Sequence, residues 1–265
     1  MDATNLAAEL IGLHDRMRLV PPFNARYPGL TAESGYAAAR KLHAHRLAQG
    51  WKPAGRKIGF TNRTIWPRYG VYEPIWGTVY DRTLIFADGN KATVPLGNLA
   101  QPRIEPEICF RIKTRPPVTR DPQALLDCIE WMAHSVEIVQ CHHPEWKLQL
   151  ADGTADNGLH GRLIVGTPVD VRKISDLAAK LPKLKVELFK GKTVIDTGVG
   201  SNVLDSPLLA LSHLLSLLEK QKETLVPGEI ISTGTLTDAH PVAAGETWRT
   251  SFDGIGLPGL EITFA

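Results

Sequence analysis

Apolar residues recur with helical spacing near the start of the chain and then change to a two-residue period. Residues 4–19 put Leu6, Leu10, Leu13 and Met17 on one stripe, which predicts an amphipathic helix ended by Val20-Pro21-Pro22-Phe23. Thr31 is placed to cap a second helix over about 32–49, with Tyr36, Ala39, Leu42 and His43 inward and Gly50 as the stop. From Arg56 the runs become short and strand-like, at 57–61, 75–81, 83–86 and 92–94, with Asp88-Gly89-Asn90 as a turn. Asp121-Pro122 opens a predicted helix whose apolar face is Leu125, Cys128, Ile129 and Met132, and a strand follows at 135–140. A hairpin is expected over 183–192, and Ser206-Pro207 starts a leucine-rich helix. A strand leading into a Thr/Gly loop over 227–237, then strands at 245–250 and 260–264, close the chain. The pattern predicts a helical N-terminal part, 1–52, on a β-rich body, 53–265.

One stretch stands apart: 103–112, Arg-Ile-Glu-Pro-Glu-Ile-Cys-Phe-Arg-Ile. Read as a strand, it sends Ile104, Pro106, Ile108, Phe110 and Ile112 to one face, and Arg103, Glu105, Glu107, Cys109 and Arg111 to the other. At roughly 3.3 Å per residue, Glu105 and Glu107 stand about 7 Å apart on the same side. Carboxylates that close perturb each other unless a cation or shared proton lies between them. An oxygen-preferring divalent ion fits, and so does a solvated face balanced by Arg103 and Arg111. Pro106 cannot donate to a ladder, so it marks an edge, a strand start or a bulge.

Composition narrows the partners more than the chemistry. The 265 residues are 43% hydrophobic and 22% charged, ordinary for a globular chain. A net charge of +2 with mixed signs makes no case for nucleic acid or an anionic membrane as the main partner. Cys109, Cys128 and Cys141 fit no zinc or redox spacing, which points to a reduced, cytoplasmic setting. The opening Met1-Asp2-Ala3-Thr4 lacks a basic and apolar leader, and no run approaches the ~20 apolar residues of a membrane span.

Other positions carry two readings each. Lys57 sits before Gly59 at a strand end, as a surface lysine or as one held near a ligand. Glu137, between Val136 and Ile138, is a cross-strand pair or a buried acid that needs a cation. The small and polar stretch 151–161 is a ligand-facing loop or an exposed turn. The Thr/Gly loop at 233–237 suits a carboxylate or is only a turn. His43, His45 and His213 read as helix-surface or packing residues.

In register, Lys57-Ile58-Gly59-Phe60-Thr61, Gly77-Thr78-Val79-Tyr80-Asp81, Glu105-Pro106-Glu107-Ile108, Val136-Glu137-Ile138-Val139, Ala155-Asp156-Asn157 and Ser232-Thr233-Gly234-Thr235 resemble the 2-keto-4-pentenoate hydratases. With the 4-oxalocrotonate decarboxylases, these belong to the fumarylacetoacetate hydrolase superfamily. The resemblance implies an α+β fold, a rolled mixed β-sheet with a helical N-terminal part. It implies Mg²⁺ or Mn²⁺ held by Glu105, Glu107 and Glu137, an active-site Lys57 with Asp81 beside it, and a homo-oligomer. Asp156, Asn157, His160 and Thr235 are the expected substrate contacts. Where relatives continue with small residues after Asp156-Asn157, this chain has Gly158-Leu159-His160; His160 is then an acid/base group or points away.

The activity implied is a hydratase acting on a small 2-hydroxy-2,4-dienoate or its 2-oxo tautomer. Decarboxylation of a 2-oxo diacid, C–C bond hydrolysis and a non-catalytic binding protein are the alternatives. Arg103 and Arg162 are candidates for a distal carboxylate in the decarboxylase reading.

Overall fold

A computed structural model describes residues 3–265; Met1 and Asp2, where the expected N-terminal part begins, lie outside the described residues. The helices are α1 (Ala3–Arg16), α2 (Phe23–Arg26), α3 (Ala32–Ala48), α4 (Trp66–Tyr69), α5 (Pro122–Leu126), α6 (Leu150–Ala155), α7 (Leu177–Lys180) and α8 (Pro207–Lys220). The strands are β1 (Pro53–Gly59), β2 (Ile75–Tyr80), β3 (Leu84–Phe86), β4 (Lys91–Val94), β5 (Arg103–Ile112), β6 (Ile129–Val139), β7 (His160–Val165), β8 (Val169–Asp170), β9 (Lys185–Lys190), β10 (Thr193–Val199), β11 (Ile230–Ser232), β12 (His240–Pro241), β13 (Thr247–Asp253) and β14 (Glu261–Phe264). No described helix is long and apolar enough to cross a membrane.

A mixed sheet runs β2-β1-β11-β5-β6-β7-β3, with β12 beside β5 and β8 beside β6. Its β1–β11 and β3–β7 pairs are parallel. The second sheet runs β10-β9-β13-β14-β4. Alternation along β5 and β6 explains the layering. One part of the outer face, with Ile58, Ile108, Phe110 and Ile231, packs against Leu208, Leu211, Leu214, Leu215 and Leu218 of α8. Another part, Ile104, Val136, Ile138 and Ile164, meets Leu188, Trp248, Ile262 and Phe264 of the second sheet. The inner face is plugged at one end by Val79, Cys109, Ala133, Leu163, Val165 and Ile230. Its other end carries the acidic residues.

The N-terminal helices form where the spacing predicts. Thr31 caps α3 by a reciprocal box: its Oγ1 accepts from the Ser34 amide, and Ser34 Oγ accepts from the Thr31 amide. The helix predicted after Asp121 is cut short. Only Pro122–Leu126 is helical, and β6 begins at Ile129. Ile129 and Met132 satisfied a helical spacing by coincidence. Pairing with Ile112 and Phe110 draws them into the sheet, where a full ladder along β5 outweighs another turn of helix.

His134 fastens the two sheets together. Its Nδ1 lies 2.9 Å from the Glu107 carbonyl and its Nε2 lies 2.7 Å from Thr250 Oγ1 on β13. Burial lowers this imidazole to about 4, against the partial opposition of the Glu107 carbonyl. A folded-state value below the unfolded 6.5 means that the unfolded chain takes the proton first. The His134 contribution is therefore whole above pH 6.5 and is lost as pH falls toward 4, at up to about 1.4 kcal/mol per pH unit. Urea unfolding at pH 7 and pH 5 should show a drop about 2 kcal/mol smaller in His134→Gln than in the wild type. Equal drops would remove His134 as the source.

Candidate active site

Glu105 and Glu137 face each other directly across the β5–β6 ladder. Residues opposite in an antiparallel pair project to the same side, and Glu107 joins them two residues further along β5. One oxygen from each of Glu105, Glu107 and Glu137 lies within 4.8 Å of the others. Glu107 and Glu137 have no exposed surface, and Glu105 is only partly accessible.

Lys57 enters from β1, which is separated from β6 by β11 and β5. Three strand spacings of about 4.8 Å would hold flat strands roughly 14 Å apart. The roll of the sheet closes that distance, and Lys57 Nζ lies 3.1 Å from Glu137 Oε2. The same ammonium donates to the Gly158 carbonyl at 2.9 Å. Glu107 Oε2 accepts from Ser232 Oγ and, at 2.9 Å, from the Gly234 amide.

Pro106 accounts for that amide. β11 pairs with β5 only as far as Ser232–Cys109, and β12 resumes the edge at His240–Ile104. Pro106 falls in the gap, where no strand needs its missing N–H. The 233–236 loop crosses there instead, with the Thr233 and Leu236 amides donating to the Ile108 and Pro106 carbonyls at 3.1 and 2.8 Å. Gly234 has φ +100°, and a Cβ on it would strike Thr61 Oγ1 at 1.9 Å. Only glycine can aim its N–H at Glu107 from that position.

One buried lysine against three buried carboxylates leaves the cluster short of positive charge. Burial, then the repulsion of Glu137, push Glu105 up to about 7 despite the opposing pull of Lys57. Burial and the charges of Glu137 and Glu105 push Glu107 well above its ordinary value. Glu137 goes the other way: burial raises it, but Lys57 and His160 outweigh that and hold it ionised. Burial alone would lower Lys57, yet Glu137, Glu105 and Glu107 raise it, so its ammonium stays charged. Glu107 Oε1 is buried with no hydrogen-bond partner among the described residues. An all-oxygen triad that would carry two negative charges in excess if fully ionised, and that holds one buried oxygen without a partner, fits a hard divalent cation.

Residues 73–259 match the family model described as "Fumarylacetoacetate (FAA) hydrolase C-terminal". The chain belongs to the fumarylacetoacetate hydrolase family. It is 29% identical over 249 residues to a 2-hydroxyhexa-2,4-dienoate hydratase of Comamonas testosteroni, covering 93% of this chain and 92% of that protein. It is 30% identical to 2-keto-4-pentenoate hydratase 1 of Dechloromonas aromatica, over 90% of this chain and 89% of that one. Among solved structures, a 4-oxalocrotonate decarboxylase from Pseudomonas putida G7, complexed with magnesium and adipate, superposes with a TM-score of 0.90. That match is 24% identical and covers 99% of this chain and 97% of the other. The rolled mixed sheet with a helical N-terminal region is the fold of this family.

Within this family member, other expected contacts lie elsewhere. Asp81 is not beside Lys57: Gly77 pairs with Lys57, and Asp81 stands four residues further on, past the end of β2. It is exposed, and its Oδ1 accepts from the Lys52 and Arg82 amides at 2.9 Å, closing a turn. Asp156 is buried between His142 Nδ1 at 2.7 Å and His14 Nε2 at 2.8 Å, and these hold its carboxyl far below its ordinary value against the opposing effect of burial. Asn157 clamps β2, accepting from the Thr78 amide at 2.9 Å and donating to the Thr78 carbonyl at 3.0 Å. The Thr235 hydroxyl is engaged with the backbone of Thr237. Arg162 binds the Gly161 carbonyl and Asn98, away from the triad.

The stretch 151–161 is neither a loop nor an exposed turn but a buried α6 followed by a tight turn over Asn157–Leu159. Ser232 and Gly234 belong to the motif and loop that the sequence marked for a carboxylate, and the carboxylate they hold is Glu107. The Gly158 carbonyl escaped sequence reasoning, because it reaches Lys57 through loop geometry that no local spacing records.

Gly77 lets the 157–158 backbone approach β2. A Cβ there would lie 2.0 Å from the Asn157 carbonyl oxygen, whereas one on Gly12 of α1 meets nothing within 4 Å. Gly77→Ala is expected to cost about 1–3 kcal/mol and to weaken the Gly158 contact to Lys57. Gly12→Ala should gain up to about 1 kcal/mol. Equal melting shifts in the two variants would contradict the close approach.

Proposed function

We propose that this chain is a divalent-metal-dependent hydratase of a small 2-hydroxy-2,4-dienoate, adding water to give a 4-hydroxy-2-oxo acid. The observation that carries this reading is the convergence of Glu105, Glu107 and Glu137 on one buried point beside a charged lysine. Its relatives of 29–30% identity named as hydratases support the reaction class. Bound by the three glutamates, Mg²⁺ or Mn²⁺ would supply a Lewis acid toward the carboxylate and C2 oxygen of a 2-oxo acid.

Lys57 supplies charge rather than a base. An ammonium has three N–H donors, and Gly158 and Glu137 take two of them. The third has no partner among the described residues and can meet the C2 oxygen of a substrate. Negative charge develops there when the enol gives up its proton and again as water adds to C4, and it is discharged when carbon takes up a proton. Because the surrounding carboxylates raise Lys57, the donor is charged across the whole neutral range. Ser232 and Gly234 hold Glu107 Oε2 and leave Oε1 for the metal.

Decarboxylation of a 2-oxo diacid is the second reading, and one observation favours it. Arg103 shares the inner face of β5 with Glu105 and lies 4.3 Å over the Trp146 ring. It lines a cavity of about 620 Å³ together with Arg68, Tyr69, Glu145 and Lys147. Glu145 pairs with Lys147 at 2.7 Å and Asp238 lies 3.7 Å from Arg68, so Arg103 is the cation this cavity offers a distal carboxylate.

Two measurements test these readings. Glu107→Gln should raise the Kd for Mg²⁺ or Mn²⁺ at least about tenfold without loss of fold; unchanged affinity would overturn the metal site. Purified protein with Mg²⁺ should consume 2-hydroxypenta-2,4-dienoate without releasing CO₂. CO₂ from 2-oxohex-3-enedioate would select the decarboxylase, and turnover of neither would reject both.

A further inference from the structure

His160 reaches the triad through an irregularity in the sheet. Along β7, Leu163 pairs with Glu137 and Arg162 with Ile138, but Val139 pairs with His160, so Gly161 is the extra residue of a bulge. Strict alternation from Leu163 would send His160 to the outer face with Arg162. The bulge absorbs one residue and re-aims it inward. Gly161 is suited to that step, because a Cβ on it would lie 2.5 Å from the Ile138 carbonyl oxygen.

Once inside, the ring is fully engaged and 2% exposed. Nδ1 lies 2.8 Å from Glu137 Oε1, and Nε2 lies 2.8 Å from Thr83 Oγ1. Glu137 is held ionised and can only accept, so Nδ1 carries a proton whatever the charge of the ring. Thr83 sits in the turn after β2, its Oγ1 accepting from the Tyr80 amide at 3.0 Å. Its hydroxyl proton can go to the Tyr80 carbonyl at 3.1 Å or to Nε2 at 2.8 Å, and the second contact is the shorter. In the neutral ring Thr83 donates to Nε2, which holds the remaining proton on Nδ1.

The consequence falls on Glu137. The terminal torsion of a glutamate is soft and nearly two-fold. Beside an ammonium that attracts either oxygen, the carboxylate would have no preferred rotation. His160 occupies Oε1 and leaves Oε2 turned toward Lys57, 3.1 Å away, with no other hydrogen-bond partner among the described residues. We propose that His160, with Thr83 behind it, is a positioning residue that fixes the Glu137 carboxylate for metal binding. This rests on the reading of Glu137 as a metal ligand, and it assigns the Gly158-Leu159-His160 segment a task in this chain.

Calorimetric titration of Mn²⁺ into metal-stripped protein separates the two claims. His160→Ala and His160→Leu should raise the Kd by about 10–100-fold. His160→Asn, whose side-chain amide can donate from near the place of Nδ1, should recover most of the affinity, which a filler of space alone would not. Wild-type affinity in both the alanine and leucine variants, alongside weakened binding by Glu107→Gln, would overturn the positioning role and leave the metal site standing. Normal binding by Glu107→Gln would instead remove the site, and the inference with it. Should the variants fail to fold, the ¹⁵N resonances of His160 in the metal-free wild type decide: a protonated Nδ1 is expected, and an unprotonated one overturns the proposal.

Discussion

Three buried carboxylates held against a single buried ammonium set the terms for the rest of this fold. Such an arrangement is unfavourable by itself, since charges removed from water must be matched nearby. The rolled sheet makes it possible. It curls β1 round toward β6, so Lys57 can reach Glu137 across two intervening strands. The apolar plug of Val79, Cys109, Ala133, Leu163, Val165 and Ile230 fills the rest of the inner face and confines the polar groups to one end. Excess negative charge in so confined a space is a standing affinity for a cation.

Three consecutive residues tie the N-terminal helices to this centre. Asp156 is gripped by His14 of α1 and by His142 just beyond β6, Asn157 is clamped on β2, and the Gly158 carbonyl receives Lys57. Displacement of α1 would therefore be felt at the lysine through a few covalent bonds. Close packing sustains the connection. A Cβ on Gly35 of α3 would lie 2.2 Å from Thr154 Oγ1, so α3 and α6 approach over glycine.

What the sequence made legible follows from the range of each interaction. Alternation along 103–112 placed Glu105 and Glu107 on one face, because side-chain direction in a strand is local. Thr31 as a cap was legible for the same reason. The partnership of Glu105 with Glu137 was not, since register between strands leaves no local mark, and only family resemblance joined them. Small residues at 151–161 suggested a loop, but they are there so that buried segments can touch. Ile129 and Met132 fitted a helix until their partners on β5 were known. Asp81 was set beside Lys57 by resemblance alone, and the register that pairs Lys57 with Gly77 carries it past the end of β2.

The bulge at Gly161 makes backbone register, as well as residue identity, a determinant of the inner face. Deleting Gly161 would restore regular alternation and keep His160 inward opposite Val139, whereas straightening the bulge with Gly161 in place would set Gly161 inward and turn His160 outward. Whether the extra residue is bulged or paired therefore decides which group faces the three glutamates. Forming or straightening a bulge in β7 is thus a route by which the fold can exchange the companions of its acidic triad while keeping the triad itself.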